Sequence, residues 1–303
     1  MACTAREQSR LCASTHTCYA CVARSLGCGC SKSLTPNIKG ARFLPERLLF
    51  RLTTPWRLPI LITRFPMSVS LTPATPSENR LLASLPTDEY QRLLPQLANV
   101  SFALGEVVYE FGGQLDYVYF PTTAIVSLLY TMENGSSAEM GLTGNDGVVG
   151  IALFMGGGTM PNRAVVQSAG DALRMKAKLL QDEFAKGGKF QSLLLRYTQA
   201  LITQISQTAV CNRLHSVEQQ LCRWLLLSHD RLNSDELIMT QELIAGMLGV
   251  RREGVTVAAG RRQDIGAISY IRGHIKILDR QRMEDAVCEC YRVVKDEFDR
   301  LLG

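Results

Sequence analysis

From about position 76 onward the chain alternates between two hydrophobic rhythms. The stretch "SENRLLASLPTDEYQRLLPQL" spaces its leucines as one helical face does, and predicts two short amphipathic helices capped by Ser77 and by Thr87 or Asp88. Short apolar runs separated by Gly and Asn then take over: "EVVYEF", "DYVYFP", "AIVSLLYTM", "AEMGLTG", "GVVGIALF" and "RAVVQSAGDALRM". Asn134-Gly135 between two of them predicts a type I′ hairpin, whose turn needs positive φ. Strands this short and this regularly spaced predict a compact all-β roll or barrel over residues 77–188.

The rhythm then lengthens. "FQSLLLRYTQALITQISQTAVCNRL" carries one stripe at Leu194, Tyr197, Leu201, Gln204, Thr208 and Cys211 and a second at Leu195, Ile202, Ile205 and Ala209. A helix apolar on two faces is buried on two sides. One face can pack on the roll and the other on a second copy, which makes residues 189–214 a predicted dimerisation helix; a core helix of a monomer is the alternative. "SVEQQLCRWLLLSHDRL" follows with a capping-box spacing, Ser216 to Gln219. A hairpin turning near Arg272-Gly273 and a last helix over "RMEDAVCECYRVVKDEFDRLL" complete a region of residues 215–303.

Inside that region, "TQELIAGMLGVRREGVTV" has the helix-turn-helix pattern. Thr240 caps a first helix with Gln241 in its first turn, Gly249 occupies a turn that needs positive φ, and a second helix begins at Arg251. Arg251 and Arg252 are then unfavourably placed on the positive end of their own helix dipole. Docked DNA removes that conflict, since the first residues of a recognition helix point into the major groove. Arginine pairs with guanine O6 and N7, and Glu253 can accept from cytosine N4. Thr256 lies on the same face. Arg261, Arg262, Arg272, His274 and Lys276 are expected to flank the groove as phosphate contacts or a wing.

Charge sharpens this picture once it is divided. Residues 1–66 hold ten Lys/Arg against two Asp/Glu, whereas the other 237 hold 23 against 26. On that acidic body, residues 240–282 carry eight basic and four acidic side chains, a local patch suited to a polyanion. No apolar run is long enough to span a membrane. Six of the ten cysteines fall in the first 30 residues and none between 31 and 210, a usage that fits a reduced cytoplasmic protein. Residues 1–76 read as a low-complexity, disordered extension. Three accounts of residues 1–66 stand: a transit peptide, a metal-binding segment, or translation that starts at Met67.

From about residue 78 to 303 the chain resembles the Crp/Fnr family of bacterial transcription regulators. The resemblance rests on "LGEVVYEFGG", "VSLLYTMENGSSAEMGL", "DGVVGIALF" and above all "MTQELIAGMLGVRREGVTVAA". It implies an α+β architecture: an N-terminal cyclic-nucleotide-binding-like β-roll, a long dimerisation helix and a C-terminal winged helix-turn-helix. It implies a homodimer that binds a pseudo-palindromic operator in double-stranded DNA, with RNA polymerase as a further partner. Arg252-Glu253 falls where the family reads bases. Val257 stands where the family has a second arginine, which implies a different operator.

The same resemblance locates an effector pocket at Gly150, Ile151, Asn162, Arg163 and Ala164. There the family's ribose-binding glutamate has become Ile151 and its phosphate-binding arginine is displaced by one place to Arg163. Losing those charge-assisted bonds argues against a cyclic nucleotide and leaves the signal unidentified. Cys18, Cys21, Cys28 and Cys30 resemble the cluster of iron–sulfur members, but the roll supplies no cysteine, and zinc suits the spacing equally. No resident cofactor or metal is therefore expected unless residues 1–30 form a site. Cys288 and Cys290, two apart on a predicted helix, are expected to face opposite ways as separate thiols, and His215, His229 and His274 to stand alone. No arrangement of nucleophile, base or paired carboxylates suggests an enzyme. The rival readings are a ligand-binding module that works through protein contacts and a redox sensor built on the N-terminal cysteines.

Overall fold

Leucines on one face of "NRLLASLP" need a cap and a surface to pack on, and Asn79 provides the first. The computed structural model, which describes residues 78–232 and 234–303, places Asn79 as the buried N-cap of α1 (Arg80–Ala83). Its Oδ1 accepts from the N–H groups of Leu81 and Leu82, and its Nδ2 donates to the carbonyls of Pro121 and Gly147. Ser77, the expected cap, lies outside the described residues. The second expected cap is corrected: α2 (Thr87–Leu93) begins after Pro86, with no side-chain cap, because proline already fixes the entry φ.

The roll consists of two sheets. One places β7 (Gly170–Lys176) between β1 (Ala98–Phe102) and β3 (Tyr117–Pro121), antiparallel to both. The other runs β2 (Val107–Tyr109), β6 (Arg163–Ser168), β4 (Ile125–Thr131), β5 (Ser137–Thr143). Apart from the β4–β5 hairpin, neighbours in these sheets are thus not neighbours in sequence, as in a roll rather than a meander. Val100, Phe120, Ile125, Val166, Leu173 and Met175 fill its interior.

Three expectations about these strands change. The β4–β5 hairpin forms, but Asn134 does not adopt positive φ. Gly135 alone does, at 84°, with its N–H on the carbonyl of Met132 and the N–H of Met132 on Ser136. That is a three-residue hairpin with a glycine bulge, not a type I′ turn. "GVVGIALF" gives only a single bridge, Tyr119 to Val149, before it winds into the one-turn helix α3 (Ala152–Met155). "RAVVQSAGDALRM" is two strands broken at Ala169.

Helix α4 (Ala177–Ala185) leads into the long α5 (Gly188–Leu214). The stripe from Leu194 to Cys211 is buried against β5 and the C-terminal helix, whereas Leu195, Ile202 and Ala209 face outward. Gln204 joins helix to roll by bonding both the N–H and the carbonyl of Leu142, as a neighbouring strand would. Gly141 lies close under the helix, where an added Cβ would come into van der Waals contact with Leu201 at 3.4 Å.

Helix α6 (Val217–His229) starts with the expected Ser216–Gln219 capping box. Beyond it come β8 (Glu236–Ile238), α7 (Gln241–Leu248), α8 (Arg252–Asp264), β9 (Ile268–Ile271) and β10 (His274–Ile277). Strand β8 adds a third member to the wing, in the order β8-β10-β9. The last predicted helix is in fact two, α9 (Arg280–Ala286) and α10 (Glu289–Leu302), separated where Val287 and Cys288 take extended dihedrals. None of the described helices is long and apolar enough to cross a membrane.

A buried polar cluster ties roll to α6. Ser127 donates to Glu139 at 2.5 Å and lies 2.8 Å from Gln167 Oε1, and Gln167 donates to Ser228 at 2.7 Å. Burial pushes the Glu139 carboxyl up to about 7, against the lowering effects of the Ser127 hydrogen bond and the field of Arg223. The folded chain therefore keeps a proton that an unfolded chain gives up near 4.5. Its stabilising contribution is complete below about 4.5 and is lost as the pH rises through about 7, on the order of 3 kcal/mol. Thermal unfolding of the wild type and of Glu139→Gln between pH 5 and 8 tests this. The variant is expected to lose most of the pH slope, and parallel curves would count against the assignment.

Candidate DNA-reading surface

The first helix of the reader is held by Thr240, whose side chain accepts from the N–H of Leu243. It ends at Gly249, φ 65°, where an added Cβ would also lie 3.3 Å from Ala138 of the roll. Ile244, Ala245, Leu248 and Val255 are buried between the two helices. Across the outer side of the pair, Thr256 donates to the Gln241 side chain at 2.7 Å, which fixes their crossing. Arg251 is the extended N-cap of α8 rather than its first residue, and Arg252 opens the helix.

The structure sorts the basic residues into two groups. Arg251, Arg252, Arg272 and Lys276 are exposed, and no carboxylate pairs with any of them among the described residues. Glu253 is exposed beside them. Arg252, Thr240, Gln241, Tyr270 and Arg272 line one open depression of about 420 Å³, so the start of α8 and the wing tip share a surface. Arg272 takes φ 52°, the one positive φ outside glycine among the described residues, and with Gly273 makes a two-residue turn. Holding arginine in that conformation costs about 1–2 kcal/mol, a cost that glycine would avoid.

Arg261 and Arg262 do something else. Both reach Glu218 in the first turn of α6, Arg261 at 3.2 Å and Arg262 at shorter range. Arg262 is only 14% exposed. Its expected place as a phosphate contact is therefore corrected: the guanidinium is a strut between α8 and α6, and turning it to solvent would leave Glu218 without its closest partner. His274 is likewise engaged, on Glu236 at 2.6 Å. The signal for both was present, in Glu218 and Glu236, but nothing local in the sequence joins residues 38 or 44 positions apart.

The first turn of α8 also faces the roll. Arg251 and Glu253 look across a cleft of about 1080 Å³ at Tyr130, Met132 and Ser136 of the β4–β5 hairpin.

The effector positions are assembled less simply. Gly150, φ 106°, leads through Ile151 into α3, while Asn162, Arg163 and Ala164 enter β6. Asn162 is buried with its amide on the Tyr109 hydroxyl, Ala164 is buried, and Arg163 pairs with Glu110 at 3.2 Å. The arginine that would meet a phosphate thus already has a carboxylate beside it. Cys18, Cys21, Cys28 and Cys30 lie outside the described residues.

Residues 219–286 match the Crp-like helix-turn-helix domain. FixK2 from Bradyrhizobium japonicum has a similar structure, with a TM-score of 0.56 at 17% identity over 63% of this chain and 98% of its own. A protein from Eubacterium rectale assigned to the Crp/Fnr transcriptional regulators gives 0.53 at 16% identity, over 68% and 96%. TTHB099 from Thermus thermophilus, a transcriptional regulator of the CRP family, gives 0.52 at 15% identity, over 61% and 95%. Comparison of the sequence with curated proteins finds no match. Residues 219–286 are thus a Crp-like helix-turn-helix domain, and the described residues share the fold of these solved regulators.

Proposed function

We propose that the protein is a homodimeric, sequence-specific DNA-binding regulator whose β-roll passes a signal to the reader. The observation that carries this is that two exposed arginines without an ion pair among the described residues, Arg252 at the start of α8 and Arg272 at the wing tip, line one open depression with Thr240 and Gln241, while Arg251, Glu253 and Lys276 are also exposed. Arg252 and Glu253 would read base edges, and Thr240, Gln241, Thr256, Arg272 and Lys276 would contact the backbone. Arg261 would reach a phosphate only by leaving Glu218.

The homodimer is supported by α5. Leu195, Ile202, Val210 and Leu214 are large apolar side chains exposed along one helix, with Ile202 57% exposed. A second copy laid along this stripe would cover it and set two recognition helices about 34–36 Å apart. The β4–β5 hairpin, facing the first turn of α8, is the element through which the state of the roll would bear on the reader. Cytoplasmic residence and contact with RNA polymerase would follow from that role.

Selection from random duplexes tests the reading. The full chain is expected to enrich a two-fold symmetric site with half-sites one helical turn apart. Ile202→Glu should sediment as a monomer and enrich nothing. A single asymmetric half-site, or a fully dimeric Ile202→Glu protein, would contradict it.

A further inference from the structure

The break between α9 and α10 brings four donor atoms together at the end of α5. Cys211 and His215 stand one turn apart, the His215 N–H bonded to the Cys211 carbonyl. Cys288 is the extended N-cap of α10 and Cys290 lies in its first turn. The expectation that Cys288 and Cys290 face opposite ways fails for that reason: only one of them is helical, and His215 is not alone. The three sulfurs and an imidazole nitrogen all lie within 4.8 Å of one another.

We propose that Cys211, His215, Cys288 and Cys290 form a mononuclear, structural Zn²⁺ site. Around a tetrahedral zinc with Zn–S of about 2.3 Å and Zn–N of about 2.0–2.1 Å, sulfurs stand about 3.8 Å apart and sulfur and nitrogen about 3.5 Å. Here Cys211 Sγ is 3.6 Å from Cys288 Sγ, and Cys290 Sγ is 3.5 Å from His215 Nδ1. An iron–sulfur cluster would have to spread these donors to admit its own sulfides. Four protein donors leave no open coordination position, so the site is structural rather than catalytic.

Two neighbours fit the same reading. With Nδ1 turned to the sulfurs, His215 Nε2 faces Glu289 Oε2 at 3.5 Å, the carboxylate that commonly orients a ligating imidazole. Three thiolates on a dication leave one net negative charge, and the buried guanidinium of Arg223, whose Nε has no hydrogen-bond partner, acts on Cys211 electrostatically. Metal binding releases three thiol protons to solvent. An open depression reaching Cys288 and Glu289 gives the ion a way in.

The position gives the site a consequence. His215 is the joint between α5 and α6, so a bound ion fixes the end of the long helix to α10 and stiffens the link from roll to reader. The inference stands independently of DNA binding.

The test uses the full chain with Cys3, Cys12, Cys18, Cys21, Cys28 and Cys30 all changed to serine, reduced, freed of metal and titrated with Co²⁺. The intense visible bands of a tetrahedral cobalt–thiolate centre are expected, saturating at one ion per chain and bleached by Zn²⁺. Cys222→Ser, a buried thiol outside the group, should leave them unchanged. Glu289→Gln, at an exposed position, should keep the bands and weaken binding about 10- to 100-fold. Cys211→Ser and Cys290→Ser should abolish or shift them. No bands with all four thiols reduced, or bands untouched by Cys211→Ser and Cys290→Ser, would overturn the site.

Discussion

Arg231→Ala is expected to lower the free energy of unfolding by about 3–5 kcal/mol, the usual cost of leaving a buried charge without its partner. Arg231 follows α6, and its guanidinium grips the Asp146 carboxylate with two nitrogens at 3.0 and 2.7 Å while donating to the Leu227 carbonyl. Both side chains are nearly inaccessible. The same guanidinium lies 5.1 Å from the ring centre of Phe298 on α10. One side chain thus connects the roll loop around Asp146, the end of α6 and the C-terminal helix. Removing it strands the carboxylate, so Asp146→Ala should cost a comparable amount and the double variant far less than the sum. Additive losses in a denaturant-based double-mutant cycle, or a single-variant loss under about 1 kcal/mol, would show that the pair is not coupled.

Arg252→Ala is the second large effect, and its target is DNA rather than stability. The side chain is exposed, has no ion pair, and sits on the helix end where the dipole opposes it, so its removal should leave unfolding almost unchanged. Specific binding should fall by about 1–3 kcal/mol, roughly 5- to 150-fold. A backbone contact would instead weaken every sequence alike and flatten the salt slope. The ratio of specific to non-specific affinity is therefore the quantity that separates the two roles.

The reader was legible because its determinants are local. A threonine cap, a glycine at the turn, small and apolar residues at helical spacing and an Arg-Gly turn all lie within about 35 residues, and each behaves in the structure as its chemistry suggests. The two stripes on α5 were legible for the same reason. What the sequence concealed depends on partners far along the chain. Asn79 caps α1 because Pro121 and Gly147 hold its amide. Arg262 is a strut because Glu218 lies opposite. The break at Val287-Cys288 has neither proline nor glycine to announce it, and without that break the four-donor group cannot be seen. The Asn-Gly turn was misread differently: the glycine was right, but a longer loop lets asparagine keep an ordinary φ.

The most direct test of the account is fluorescence-anisotropy binding of the full chain to duplex DNA from upstream of its own gene. Scrambled duplex and the Arg252→Ala variant run alongside at two salt concentrations. The account predicts tight, sequence-dependent binding by the wild type, and a variant that binds the upstream and scrambled duplexes nearly alike with the salt slope retained. Equal affinity of wild type and Arg252→Ala for the upstream duplex, at a preference over scrambled DNA that both share, would contradict it.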